Sequence, residues 1–247
     1  MNSTIRSLQL FLLAAVMLTA CQSEEMPPIK EGAKMGRIVL SIPEVQLYTG
    51  ADTRAQATAN IEDFTYKLNS VAGSSHVVSD STIAFTSGTA VLPAGTYTLT
   101  ATSKVAQDAA PWYQGTSSAF TVVEGDSKSV SINLGKPKNA EVAVAFAESF
   151  TTLYENYSIT IGNHSLQANG NLYAMPGASV SYTVKGTAKA GSHVSDIPAN
   201  GISGTITIET GNSYPLNITA SSISDLLIQI GDGTHNGEFD TREHHLF

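Results

Sequence analysis

The sequence predicts an all-β protein made of two tandem β-sandwich domains, immunoglobulin-like or transthyretin-like, and three observations carry that reading. Short runs with a period of two recur along the 247 residues, each ended by Gly, Asn or Pro. Alternation of this kind puts one face of a strand on a core and the other in water. The composition is 42% hydrophobic and only 14% charged, with 20 glycines; a disordered chain has the opposite balance. No window shows an amphipathic helix of any length.

Residues 1–20 read as a lipoprotein signal peptide. Arg6 supplies the positive start, residues 8–18 the apolar core, and Thr19 and Ala20 the small residues before the cut. The apolar run is shorter than the ~20 residues a helix needs to span a bilayer. Leu18-Thr19-Ala20-Cys21 resembles the bacterial lipobox, in which the cysteine becomes the new N-terminus and its sulfur takes a diacylglyceryl group. Cys21 is therefore the expected lipidation site and the membrane an expected partner. As the only cysteine in the chain, it has no partner for an internal disulfide. Gln22-Ser23-Glu24-Glu25 resembles the acidic export signal of Bacteroidetes lipoproteins, which implies an outer-membrane protein facing outside the cell. Residues 21–35 have the composition of a tether, with Pro27, Pro28 and Gly32.

The first sandwich is expected over residues 36–135. It opens with the strand Gly36-Arg37-Ile38-Val39-Leu40-Ser41-Ile42. Phe64, Tyr66 and Leu68 fall on one face of a second run. Pro93-Ala94-Gly95 is turn chemistry, and Tyr97, Leu99 and Ala101 then alternate with threonines. Residues 117–123 and 127–134 read as two strands of a hairpin around Glu124-Gly125-Asp126, with Val130, Ile132 and Leu134 pointing one way. Gly135-Lys136-Pro137-Lys138-Asn139 breaks the pattern and reads as a linker. The second sandwich is expected over residues 140–231, built from runs such as 141–146, 157–162, 179–186 and 226–230. Residues 232–247 read as a polar tail.

In their order behind the lipobox, several of these pieces resemble one family. They are the strand 36–42, Asp63-Phe64-Thr65-Tyr66, Leu92-Pro93-Ala94-Gly95-Thr96-Tyr97, Pro111-Trp112-Tyr113-Gln114-Gly115 and residues 140–150. The chain resembles Bacteroidetes lipoproteins that carry a domain of unknown function of the DUF 4493 type. The resemblance implies an all-β, adhesin-like envelope protein and brings no catalytic residues with it. More distantly, the chain resembles the fimbrillin-type fimbrial subunits of the same bacteria. In those, a protease cuts after an arginine, removes the first strand and leaves a groove that the next subunit fills. Arg54, in Thr53-Arg54-Ala55, lies where such a cut would fall.

Three groups of residues are candidates for chemistry. Asp232-Gly233-Thr234-His235-Asn236-Gly237 and the residues after it can be laid on a calcium loop of the EF-hand kind. Asp232, Asn236, Asp240 and Glu243 then take positions one, five, nine and twelve. Calcium is the one cofactor this pattern suggests. Trp112 and Tyr113 sit beside Pro111 in a loop, where flat amphipathic rings can stack on a glycan or instead cap the end of a sandwich. Asp80-Ser81-Thr82 resembles a three-residue pattern for O-glycan attachment. The net charge of −8, with no basic stripe interleaved with aromatics, leaves nucleic acid out of the expected partners. The sequence holds no Gly-x-Ser-x-Gly elbow and no His-Glu-x-x-His, so neither a serine hydrolase nor a zincin is indicated. The expected function is that of a non-enzymatic, lipid-anchored surface protein binding a glycan or a protein. A fimbrial subunit assembling by strand exchange is the alternative.

Overall fold

A computed structural model describes residues 32–42, 45–46, 56–57, 59–176, 179–221, 225–231 and 239–245. The protein is all-β. In chain order the strands before the expected linker are β1 (Met35–Ser41), β2 (Val45–Gln46), β3 (Gln56–Ala57), β4 (Phe64–Ser70), β5 (Ser81–Ile83), β6 (Thr89–Pro93), β7 (Gly95–Ser103), β8 (Gln114–Thr116), β9 (Phe120–Val122) and β10 (Ser127–Ser131). After it come β11 (Ala140–Phe146), the short α-helix α1 (Glu148–Leu153), β12 (Tyr154–Ile161), β13 (His164–Leu166), β14 (Gly170–Ala174), β15 (Ser179–Ala188), β16 (Ile202–Thr207), β17 (Ser213–Ala220), β18 (Asp225–Gly231) and β19 (Phe239–His245).

Sheet pairing among the described strands divides cleanly at the linker. The earlier strands form one sheet ordered β10-β1-β6 and another ordered β5-β4-β7-β8, in which β9 also pairs with β7; β2 and β3 form a small ribbon. The later strands form β14-β11-β17-β18-β19 and β13-β12-β15-β16. The two sets repeat one plan. In each, the first strand lies between an antiparallel middle strand and a late strand running its own way. β1 is antiparallel to β6, and β11 to β14. β11 and β17 run parallel. For β1 and β10, Arg37 N donates to Asp126 O at 2.8 Å and Ile132 N to Ser41 O at 3.2 Å, so the partners advance together along both strands. The second sheets match as well, β5-β4-β7-β8 against β13-β12-β15-β16. What the later set adds is the β18–β19 ribbon beyond β17.

Alternation explains the strands. In β7, Tyr97, Leu99 and Ala101 are fully buried while the threonines between them are half-buried. Val130, Ile132 and Leu134 are buried, as the pattern requires. In the later set, Val142, Leu216, Ile218 and Ile228 of one sheet join Ile159, Tyr182, Val184 and Ile206 of the other in one core cluster. That cluster makes the pair of sheets a sandwich. Each side chain of this size buried contributes about 1.5–3 kcal/mol. Four aromatics close one region of the same core, with ring centroids of Phe146–Phe150 at 5.6 Å, Phe146–Tyr157 at 4.7 Å and Phe150–Tyr154 at 4.9 Å.

The Leu-Pro-Ala-Gly-Thr-Tyr stretch has a physical reason. β6 passes into β7 through a corner between sheets, and Tyr97 Oη donates to Pro93 O at 2.9 Å. The tyrosine ring lies across Gly95, where a Cβ would come within 2.7 Å of Tyr97 Oη; only glycine leaves room. A second tyrosine does similar work before β17, where Glu209 N donates to Tyr214 Oη at 2.8 Å.

Two expectations need correction. Residues 120–122 and 127–131 do not form a hairpin: β9 pairs with β7 and β10 lies beside β1, so the turn between them crosses from one sheet to the other. That crossing is tight at Gly36, where a Cβ would lie 2.7 Å from Val122 Cγ1 and would overlap Val123 O. Residues 239–245 are not part of a free polar tail but strand β19, paired along its length with β18. Residues 148–153 form a helix that six residues of sequence are too few to reveal by periodicity. Asn139, the last residue of the expected linker, is fully buried.

By contacts between residues the chain divides into two compact units. One collects the described residues up to Leu40 with Thr65–Thr100 and Ser117–Val130; the other collects the described residues of Ser41–Phe64, Ala101–Thr116 and the described residues from Ser131 on. The division is thus not made at a single point near residue 135. Two earlier stretches group with the later strands, and the second of them carries Trp112 and Tyr113.

Candidate functional site

The best-defined candidate is the loop of residues 104–113, within the second unit. It leaves β7 and returns to it: Ser103 N donates to Tyr113 O, and Tyr113 N donates to Ser103 Oγ, both at 2.9 Å. Lys104 fastens the outgoing limb, its N donating to Asp63 O at 3.0 Å and its Nζ to Glu62 O at 2.7 Å. Asn139 fastens the returning limb. Its Oδ1 accepts from Trp112 N at 3.0 Å, and its Nδ2 donates to Gln107 O and Ala110 O at 2.7 and 2.8 Å. Lys138 N adds a bond to Trp112 O at 2.7 Å. At the outer rim, His164 Nε2 and Asp108 Oδ2 lie 2.7 Å apart. The hydrogen bond from His164 and one from the backbone of Asp108 itself hold the Asp108 carboxyl below its ordinary range.

The loop buries its aromatic pair. Trp112 is 8% exposed and Tyr113 7%, which corrects the expectation of flat rings standing out from a loop. Sequence shows that the rings sit beside a proline; it does not show an asparagine far along the chain that ties the loop down over them. Tyr113 Oη donates to Gln46 O at 3.1 Å. Burial, with a smaller contribution from nearby Tyr173, pushes the Tyr113 hydroxyl up to about 12. Tyr173 is itself raised by burial, and Glu141 adds to the shift. Glu141 is a buried carboxylate at 7% exposure. Asn171 Nδ2 donates to its Oε1 and Ser213 Oγ to its Oε2, each at 2.7 Å. A buried carboxylate is tolerated when its oxygens are bonded in this way. Neither Asn139 nor Glu141 stood out in the sequence. The one hint at Glu141 is an acid opening an apolar run.

The chemistry open to this arrangement is therefore surface contact by the rim, residues 104–109, which are exposed and include Val105 at 46%. The polar atoms of Asn139 and Glu141 are engaged within the chain.

The other candidate residues fall as follows. Cys21, Arg54, Asp232 and Asn236 lie outside the described residues. Asp240 and Glu243 lie in β19, opposite Ile230 and Leu227. Positions nine and twelve of an EF-hand loop lead into a helix; here both are in a strand. His244 and His245 are neighbours in the same strand. Ser81 of the Asp80-Ser81-Thr82 pattern is 4% exposed, whereas Thr82 is exposed. Among the described residues no group of three or more His, Cys, Asp and Glu is placed to hold a metal ion. No described helix is long and apolar enough to cross a membrane.

The strand plan defines a class, that of all-β proteins with repeated sandwich topology. The chain belongs to the family described as a domain of unknown function, DUF4493, whose model matches residues 34–243. No curated protein matches it. Among solved structures it is similar to the fimbrial anchor protein Mfa2 from Porphyromonas gingivalis, at 10% identity and a TM-score of 0.40, over 85% of this chain and 100% of that one. It is also similar to a candidate cell adhesion protein from Bacteroides ovatus, at 12% identity and a TM-score of 0.37, over 87% of this chain and 97% of the other.

Proposed function

We propose that the protein is a non-enzymatic, adhesin-like binding module, anchored in the outer membrane by a lipid on Cys21 and facing outside the cell. The observation that carries this reading is the repeated strand plan behind a lipobox-type leader. β-Sandwiches of this kind recognise partners through the loops at their ends, and residues 104–109 form such a loop on a rigid base. The ligand is a glycan or a protein, met by the exposed rim of the loop while Trp112 and Tyr113 hold its base in shape. The test is protease shaving of intact cells followed by blotting, together with retention of the purified protein on glycan and host-protein columns. Protection from the protease would sink the surface reading. Retention that is indifferent to Val105→Asp and Gln107→Ala together would remove the loop rim as the contact.

A second reading is favoured by one feature. β1 is the middle strand of its sheet, between β10 and β6, with Ile38 and Leu40 buried. Its removal after cleavage near Arg54 would open two backbone edges and an apolar groove, which a strand from another subunit could refill. Treatment with an arginine-specific protease should then produce ladders on a gel; a product that stays monomeric would dispose of this alternative.

A further inference from the structure

The three most exposed large apolar side chains among the described residues are Val77, Val91 and Val123, at 78%, 53% and 51%. They are distant in sequence, yet each is tied, directly or through an adjoining residue, to the stretch 32–37, where the described chain enters the first unit. Lys34 O accepts from Ala94 N at 2.7 Å, and Lys34 Nζ pairs with Glu124 Oε2 at 3.0 Å. Val123 directly precedes Glu124, and Gly125 N in the same turn donates to Met35 O at 2.8 Å. Val77 follows His76, which lines a hollow of about 380 Å³ together with Lys34 and Ala94. Val91 is paired with Arg37 and shares a second hollow with Met35 and Gly125. All of these residues belong to the first unit.

Covalent geometry limits how far this end can stand from the lipid. Eleven residues, from Cys21 to Glu31, precede Gly32, and such a segment spans at most roughly 40 Å. Apolar side chains exposed to water gain by transfer to the apolar boundary of a bilayer. We infer that this end of the first unit rests on the surface of the lipid bilayer, with Val77, Val91 and Val123 at its apolar boundary. The inference rests on the reading of Cys21 as the lipid-bearing residue.

The test uses the fact that the chain has one cysteine, whose sulfur the lipid consumes. Val77→Cys, Val91→Cys and Val123→Cys each then carry a single polarity-sensitive fluorophore on the lipidated protein in phospholipid vesicles. Thr86→Cys is the control, because its turn lies at the other end of β1, where Leu40 N donates to Gly88 O. Vesicle flotation reports anchoring separately. The expected result is flotation of all four, with a blue shift and quenching by a headgroup quencher at 77, 91 and 123 and neither at 86. Flotation with all four probes alike overturns the inference and leaves the anchor intact. Failure of the unaltered lipidated preparation to float overturns both. A blue shift that disappears when the protein is spread over more vesicles identifies a second copy as the occupant and also overturns the inference.

Discussion

At Asn139 one amide side chain serves three backbone groups lying 27 to 32 residues earlier in the chain. Replacing it with alanine strands one buried N–H and leaves two partly buried carbonyls without their partner, so Asn139→Ala should cost about 1–3 kcal/mol, measured by urea unfolding. Asn139→Asp should fail as well, since it turns a second acceptor towards two carbonyls. Tyr113 gives a prediction in pH. Its hydroxyl is raised from 10.0 to about 12 in the folded protein, so between those values the folded state holds a proton that the unfolded state has lost. Stability from this group is complete below pH 10 and is lost as the pH rises towards 12. Tyr113→Phe should flatten that part of the stability curve. Asp108 acts in the opposite sense: its lowered pKa stabilises the fold above the usual carboxylate range, and the gain is lost as the pH falls through the folded value. The stability difference between the wild type and His164→Ala should therefore close in acid. None of these roles was legible in the sequence, because an asparagine after a proline-containing stretch looks like linker whether it is exposed or buried.

Among the elements, the strands were the legible part. Phe64, Tyr66 and Leu68, and again Tyr97, Leu99 and Ala101, announce their buried face by position alone, and each is buried. Partnership was not legible. Nothing in residues 120–131 tells a hairpin from a crossing between sheets, because both need the same turn residues; pairing is decided by the rest of the fold. β19 was hidden for a related reason: its residues, Phe-Asp-Thr-Arg-Glu-His-His, lack apolar alternation. Its backbone covers the edge of β18, whose Leu226 and Ile228 are fully buried. Truncation after Gly231 should leave β18 as the edge of the sheet and lower stability, and the shortened protein should aggregate more readily on concentration. Light scattering against the full chain would check this; equal scattering and an equal unfolding midpoint would show that β19 only decorates the sheet.

For the whole molecule, strand pairing separates at the linker while residue contacts group the stretches 41–64 and 101–116 with the later strands. The second strand set should therefore be weaker by itself than within the full chain. A fragment beginning at Ala140 should unfold at a lower urea concentration than the same strands do in the intact protein. Matching midpoints would show that the earlier stretches contribute nothing. The prediction of two tandem sandwiches came from the spacing of short strands; the mixed membership of the second unit could not, since it depends on one loop being tied down far from its neighbours in sequence.

The parallel run of β1 beside β10 has a consequence for how the chain comes into being. Arg37 meets Asp126, about ninety residues later, and contacts of such long sequence separation form slowly, typically over milliseconds to seconds. During synthesis the first strand emerges well before this second flanking partner exists. Until that partner arrives, β1 has only β6 beside it, and its open edge is the kind of surface that sticks to other nascent chains. The order of the strands thus sets the interval during which this protein most needs an escort.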